Sequence, residues 1–182
     1  NRPKNPSEFI KGNTSFTREI LEFAAEGGNV PTVVVSSTTQ VVKDNDYGKS
    51  KRAAEELIEE YASNGKINGA IYRLPGVFGK WSRPNYNSVV STFCYNVANE
   101  LPLEVRDPRF ALPLVYIDDV VQALLSHLYS RFKGVNHFAV TPVFNTTLGE
   151  LADSISSFPK LRTSLRAPKV GKALEKCLYS TY

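Results

Sequence analysis

The stretch Val33–Lys51, read VVVSSTTQVVKDNDYGKSK, restricts this chain more than any other. Val33, Val34 and Val35 form an unbroken β-branched run, the pattern of a buried strand in a parallel sheet. The run ends in a hydroxyl cluster, Ser36 to Thr39, and a short polar connection leads on to Tyr47. If a helix starts near Tyr47, then Tyr47 and Lys51 fall one turn apart on the same face. A free phenol titrates near pH ~10, too high for ready proton exchange at neutrality. An ammonium beside it favours the phenolate and draws its pKa down toward the working range. A hydroxyl at the strand end can then hold the substrate oxygen that gains or loses that proton.

The Tyr-x-x-x-Lys pair alone proves little in a chain with nine tyrosines, and a second copy stands at Tyr129 and Lys133. That copy closes an amphipathic helix with no strand-end hydroxyl ahead of it. At Tyr47 the strand, the hydroxyls, the turn and the helix come in order. Context decides between the two.

The alternation continues beyond this stretch. A helix is expected from about Tyr47 to Ser63, its inner face carrying Ala54, Leu57, Ile58 and Tyr61, and Asn64-Gly65 ends it. Ile67 to Leu74 reads as a second strand, closing at Arg73-Leu74-Pro75-Gly76. Strand, helix, strand implies a right-handed crossover and an α/β fold with a parallel sheet. Ligands bind such sheets beyond the carboxyl ends of the strands, where both Ser36–Thr39 and Arg73–Gly79 land. Upstream, Asn5-Pro6-Ser7-Glu8 starts a helix whose stripe is Phe9, Asn13, Phe16, Ile20 and Phe23. Asn13 on that stripe reads either as a buried amide tied to neighbouring groups or as part of an active site.

Downstream, Gly79–Asn87 (GKWSRPNYN) is a polar loop before a helix over Ser88–Asn99. Leu112–Ile117 reads as a short strand, and Asp118 as an N-cap opening a helix from Val120 to Phe132. Thr147 and Glu150 have the spacing of a capping box. His127 lies in an apolar helical pattern and reads as a core residue.

At 182 residues and 42% apolar content, the chain has the material for one packed domain or part of one. The net charge of +4 is modest. Basic residues thicken only from Lys160 to Lys176, without the aromatic interleaving that stacks bases, so no nucleic-acid partner is expected. Cys94 and Cys177 are far apart, and neither a metal site nor a disulfide framework is indicated. No run approaches the ~18 apolar residues of a membrane span and no signal peptide is recognisable. Cytoplasmic placement without a membrane partner is the expectation. The chain contains no methionine and opens at Asn1-Arg2-Pro3, which reads as a fragment.

With Ser36-Ser37-Thr38 before Tyr47-Gly-Lys-Ser-Lys51 and Arg73-Leu-Pro-Gly-Val-Phe-Gly79 after, the chain resembles the extended short-chain dehydrogenase/reductases, the NAD-dependent epimerase/dehydratase family that acts on nucleotide sugars. Through Gly79–Asn87 and Val115-Tyr-Ile-Asp-Asp-Val120 it is most similar to the bacterial capsule and O-antigen reductases of 4-keto, 6-deoxy UDP-N-acetylhexosamines, on the route to UDP-N-acetyl-L-fucosamine. The resemblance implies the C-terminal part of a Rossmann-like doubly wound sheet over residues 1–78, and a substrate-binding region with return segments to the sheet over residues 79–182. It implies that Tyr47 is the general acid toward the sugar C4 oxygen. Lys51 would hold the nicotinamide ribose and lower the Tyr47 pKa. Thr38, or Ser37 as second choice, would bind the same oxygen, and Asn13 would stand near the lysine. Leu74, Pro75 and Val77 would border the nicotinamide, and Arg83, Asn85, Tyr86, Asn87 and Ser88 the nucleotide sugar. The cofactor implied is NADPH, with NADH as the alternative, and the assembly a homodimer.

Two departures accompany the resemblance. Leu112 stands where relatives place an arginine that contacts UDP, and the family's Gly-rich dinucleotide fingerprint would lie ahead of Asn1. Thr39 and Gln40 replace the Asp-Glu pair of the family's dehydratases, and neither supplies the acid and base that loss of water needs. Reduction of a ketone is therefore expected, with C4 epimerisation or an incomplete, inactive fragment as the alternatives. In a fragment, the Val33 strand would show a bare edge.

Overall fold

The structure, a computed structural model, describes residues 5, 7–128, 130–164 and 173–182. Pro6, Tyr129 and the 165–172 part of the basic run lie outside the described residues. In chain order the elements are α1 (Ser7–Phe9), a π-helical turn (Ile10–Ser15), α2 (Phe16–Glu26), β1 (Thr32–Thr38), a 3₁₀ turn (Thr39–Val42), α3 (Asp46–Ser63), β2 (Asn68–Leu74) and β3 (Gly76–Phe78). Next come α4 (Val89–Ala98), β4 (Ala111–Tyr116), α5 (Ile117–Leu125), β5 (Val135–Phe138), β6 (Phe144–Thr147), α6 (Leu148–Ser164) and α7 (Ala173–Thr181). They group into two compact units, one built from Pro3–Pro75 with Val121–Val140, the other from Gly76–Val120 with Thr141–Tyr182.

In the first unit β1, β2 and β5 form a parallel sheet in that order. The register sets Ser37 beside Arg73 and Thr38 beside Leu74, so both strands finish level with each other. Helix α3 supplies the covering layer. Asn45 caps it by accepting from the Gly48 N–H at 2.7 Å, and Asn64 with left-handed Gly65 ends it. Leu57 and Ile58 pack with Leu21, Ile67 and Ile71, and Val33, Val35 and Val135 close in around them. Val33 to Val35 are only half-buried, because β1 has a strand neighbour on one side alone among the described residues.

The first helix corrects the sequence expectation. Asn13 and Leu21 are its buried residues, whereas Phe16, Ile20 and Phe23 face solvent. The π-helical turn at Ile10–Ser15 is the cause. Its wider loop of backbone inserts one residue, so the inward face runs Phe9, Asn13, Thr17, Leu21 instead of continuing to Phe16 and Ile20. A second correction falls on α5, which starts at Ile117 and ends at Leu125. Asp118 therefore sits inside its first turn, not at the cap, and pairs with Lys80 at 2.9 Å. Phe132 lies beyond the helix, stacked edge-on to His127 and Phe138. His127 is buried as expected, its ring nitrogens 2.7 Å from the Tyr72 hydroxyl and 2.9 Å from that of Ser130.

The second unit packs β3, β4 and β6 against α4, α6 and α7 around Phe78, Val90, Phe93, Leu114, Leu151 and Ile155. Thr147 and Glu150 make the expected reciprocal cap, Thr147 N–H donating to the carboxylate at 3.0 Å and Glu150 N–H to the hydroxyl at 3.2 Å. Leu112 packs against this core.

The shifted face of α2 gives a direct test by urea unfolding. Leu21→Ala, at a position 0% exposed, is expected to cost about 2–5 kcal/mol. Phe23→Ala, at 80% exposure, should stay within about 0.5 kcal/mol.

Candidate active site

Three residues of α3 spaced by four, Tyr47, Lys51 and Glu55, form one stripe at the carboxyl ends of β1 and β2. Tyr47 lies in the first turn, its ring 5.6 Å from that of Phe9. Thr38 stands near enough to the Tyr47 hydroxyl to help lower the phenol, though without a well-aligned hydrogen bond. Thr38 is extended backbone at the end of β1, and its Oγ1 accepts from the Gln40 N–H at 3.2 Å, which starts the 3₁₀ turn. That turn runs hard against α3. A Cβ on Gly48 would stand 2.5 Å from the Gln40 carbonyl oxygen and 2.9 Å from that of Lys43, so only glycine can sit after Tyr47 without pushing the turn away. Arg52 fastens the same turn by donating to the Val41 carbonyl.

Lys51 donates from Nζ to the Ser36 carbonyl at 3.1 Å. Burial presses its pKa down, and the negative charge of Glu55 works against that. The expectation that Lys51 depresses the Tyr47 phenol is not met in this structure. Burial raises the phenol above its ordinary value, and only the neighbouring Thr38 opposes the rise. The physical reason is that the ammonium is turned to the Ser36 carbonyl while the phenol sits half-buried against Phe9. Tyr47 is accordingly a protonated donor at neutral pH.

Asn13 is drawn into the same neighbourhood from the π-helical turn. Its Nδ2 donates to Ser50 Oγ at 2.9 Å, and Ser50 Oγ donates to the Tyr47 carbonyl at 2.8 Å. Asn13 thus holds the backbone between Tyr47 and Lys51 by way of Ser50. The two hydroxyls offered for the ketone oxygen part company. Thr38 stands near Tyr47, whereas Ser37 is buried on the α3 side of β1, near enough to help lower the Glu55 carboxyl though without a well-aligned hydrogen bond. Leu74 and Pro75 stand at the end of β2, beside Thr38 in the register.

The second unit holds the remaining predicted residues. Val77 lies on β3, paired with Val115. Asn85, Tyr86, Asn87 and Ser88 line a cleft of about 630 Å³ with Val89, Thr92, Phe93, Asn96 and Glu104. Asn85 adopts a left-handed backbone, φ 55°, and its N–H donates to Thr92 Oγ1 at 2.9 Å, while Ser88 caps α4. Arg83 is not in the lining; its guanidinium lies 5.6 Å from the Tyr86 ring centre. Trp81, at 94% exposure, stands out in solvent beside Lys80.

Sequence reasoning missed Ser50 and Glu55, although both were readable. Ser50 stands within the Tyr-Gly-Lys-Ser-Lys run, and Glu55 continues the four-residue spacing from Tyr47 and Lys51 toward a strand that ends in Arg73. Glu104 and Asn96 gave no signal, since the turn that brings Glu104 to α4 has no periodicity.

With this geometry in place, the comparisons with known proteins are decisive at family level. The family model "NAD dependent epimerase/dehydratase family" matches residues 1–140. The chain belongs to that family. It is 40% identical over its whole length to a "UDP-2-acetamido-2,6-beta-L-arabino-hexul-4-ose reductase" of Pseudomonas aeruginosa, of which it covers 49%. Among solved structures it is similar to the "capsular polysaccharide assembling protein CapF" of Staphylococcus aureus, with TM-score 0.83, 38% identity, and coverage of 92% of this chain and 46% of that one. A UDP-glucose 4-epimerase of Thermotoga maritima shares the fold at TM-score 0.78 with 18% identity, over 98% of this chain and 70% of that one. The chain spans about half the length of the Pseudomonas and Staphylococcus relatives. The α/β architecture with parallel strands is that of these Rossmann-like proteins. Among the described residues no helix is long and apolar enough to cross a membrane.

Two measurements test this geometry. Gly48→Ala is expected to lower stability by about 1–3 kcal/mol, read by thermal unfolding, because the 3₁₀ turn must shift to admit the methyl group. A spectrophotometric difference titration of wild type against Tyr47→Phe should show one phenol ionising above pH ~10, since burial raises its pKa.

Proposed function

We propose that this chain carries the acid/base centre and part of the substrate site of an NAD(P)H-dependent reductase. Its substrate is the C4 ketone of a UDP-6-deoxy-N-acetylhexosamine, on the route to UDP-N-acetyl-L-fucosamine for capsule or O-antigen. The observation that carries this reading is the stripe of Tyr47 and Lys51 on one face of α3, with Thr38 near the phenol at the carboxyl end of β1 and Lys51 tied to the Ser36 carbonyl. Tyr47, a neutral phenol at the pH of catalysis, gives its proton to the C4 oxygen as the ketone becomes an alcohol. Thr38, near that phenol, donates its hydroxyl hydrogen to the same oxygen and fixes it in place. Lys51 uses one N–H on the Ser36 carbonyl and keeps two for a ribose diol, a donor set that fits a nicotinamide nucleotide. The bound dinucleotide would supply the hydride. Leu74 and Pro75, at the end of β2, would give an apolar border for its nicotinamide ring.

Residues 1–78 would then carry the proton transfer, and residues 79–182 the sugar nucleotide, with Asn85–Ser88 supplying amide and hydroxyl groups along a cleft of suitable size. The Pseudomonas relative, named as the reductase of a 2-acetamido hexul-4-ose, supports the choice of sugar. We place the enzyme in the cytoplasm as a homodimer and take NADPH over NADH as the donor. C4 epimerisation would use the same three side chains but consume no net reduced cofactor.

The test uses the full-length protein that contains this chain, with NADPH or NADH and candidate 4-keto UDP-sugars, following loss of reduced-nicotinamide absorbance. Net oxidation with the 4-keto N-acetyl sugar is the expected result; interconversion of 4-hydroxy sugars without oxidation would favour the epimerase. Tyr47→Phe should reduce turnover by about 10²–10⁴ while nucleotide-sugar affinity stays near wild type. Tyr129→Phe, in the other Tyr-x-x-x-Lys pair, should turn over normally, and equal loss in both would show that the wrong pair was chosen.

A further inference from the structure

We propose that Glu55 is a positioning residue for the Tyr47–Lys51 pair, its buried carboxylate fixed by Arg73 so that the Lys51 amine is held as an ammonium. The proposal rests on the acid/base role of Tyr47 and Lys51 in ketone reduction, and extends it to residues that no resemblance assigned.

The geometry begins with burial. The Glu55 side chain is 2% exposed, in the middle of α3, at a place where a charge is costly unless paired. Its partner is Arg73 from the end of β2. Nε donates to both carboxylate oxygens at 3.1 Å, and a terminal nitrogen donates to Oε2 at 2.6 Å. The fork fixes the carboxylate in one orientation. Burial favours the neutral acid, but the Arg73 hydrogen bonds and charge, helped by Ser37 and His137, outweigh it and hold the carboxyl below its ordinary value. The ion pair therefore stays charged at the pH of catalysis. Glu55 is one helical turn beyond Lys51, as Lys51 is beyond Tyr47, so the three stand on one face of α3.

Lys51 needs such a neighbour. It is half-buried, and its ammonium donates to a neutral carbonyl, that of Ser36. Burial alone favours the uncharged amine, and Glu55 is the group that opposes it. The charged and titratable groups around this patch are Tyr47, Lys51, Glu55 and Glu59 from α3, Arg73 from β2 and His137 from β5, with the Ser36 carbonyl and Ser37 from β1. Glu59 pairs with His137 at 3.6 Å on the exposed side. The Glu55–Arg73 fork, buried at its carboxylate end, is the charged pair one turn along α3 from Lys51.

The test is the basic limb of the kcat/KM profile for ketone reduction in the full-length protein, which reports loss of a proton from the Tyr47–Lys51 pair. Glu55→Gln keeps an acceptor for Arg73 but removes a negative charge, so that proton leaves more easily and the limb should move down by about one pH unit. Arg73→Gln removes a positive charge and leaves the Glu55 carboxylate ionised at basic pH, so the limb should move up. Opposite shifts are the signature of electrostatic positioning, and general loosening of the fold would not produce them. An unmoved limb in Glu55→Gln, or shifts of the same sign in both variants, would overturn the proposal. If Glu55→Gln does not fold, the sign of the Arg73→Gln shift decides alone. Turnover surviving in Tyr47→Phe would instead bring down the functional reading beneath it, a separate outcome.

Discussion

Parallel pairing of β1 with β2 is the constraint on which the first unit depends. Their register, from Thr32 beside Asn68 to Thr38 beside Leu74, makes both strands stop at one level. That shared end sets hydroxyl, guanidinium and apolar groups side by side under a single helix. Helix α3 is long enough to seal the core with Leu57, Ile58 and Ala62 while its first turns reach past the strand ends. One helix thus serves stability in its later turns and chemistry in its earlier ones. Glu55 stands where the two halves meet.

The polar groups at this end are ordered by backbone contacts more than by contacts with one another. Ser36 offers its carbonyl to Lys51, Tyr47 offers its own to Ser50, and Val41 receives Arg52. Backbone positions are set by the sheet and helix ladders, so side chains anchored to them inherit that rigidity. Among the described residues of this site, Asn13 joins Ser50 and Glu55 joins Arg73 side chain to side chain.

Much of this is legible in the sequence. The valine run, the hydroxyls and the Tyr-Gly-Lys-Ser-Lys helix start yield the strand–helix–strand order, because period and turn chemistry are local signals. The capping box at Thr147 and Glu150 is legible for the same reason. The features that escape are non-local or sub-helical. No composition marks a π-helical turn, so the apolar spacing puts α2 in the wrong phase after Asn13. The state of the Tyr47 phenol depends on Phe9 and on where Lys51 points, and a spacing rule contains neither. Asp118 misleads because a cap and a first-turn acid look alike along the chain, and Lys80, its partner, is remote.

The extra residue in the turn before α2 has a consequence for insertions and deletions. Shortening Ile10–Ser15 by a single position would return the whole segment to ordinary α winding and rotate everything after it by about 100°. Phe16 and Ile20 would swing toward the sheet, Leu21 would swing out, and the amide of Asn13 could no longer reach Ser50 while Leu21 stayed in the core. Two halves of one rod are clocked against each other by a single spare amino acid, one gripping the strands' ends and the other plugging the hydrophobic interior. Length in this turn is therefore under tighter constraint than residue type, the reverse of what is usual at a protein surface.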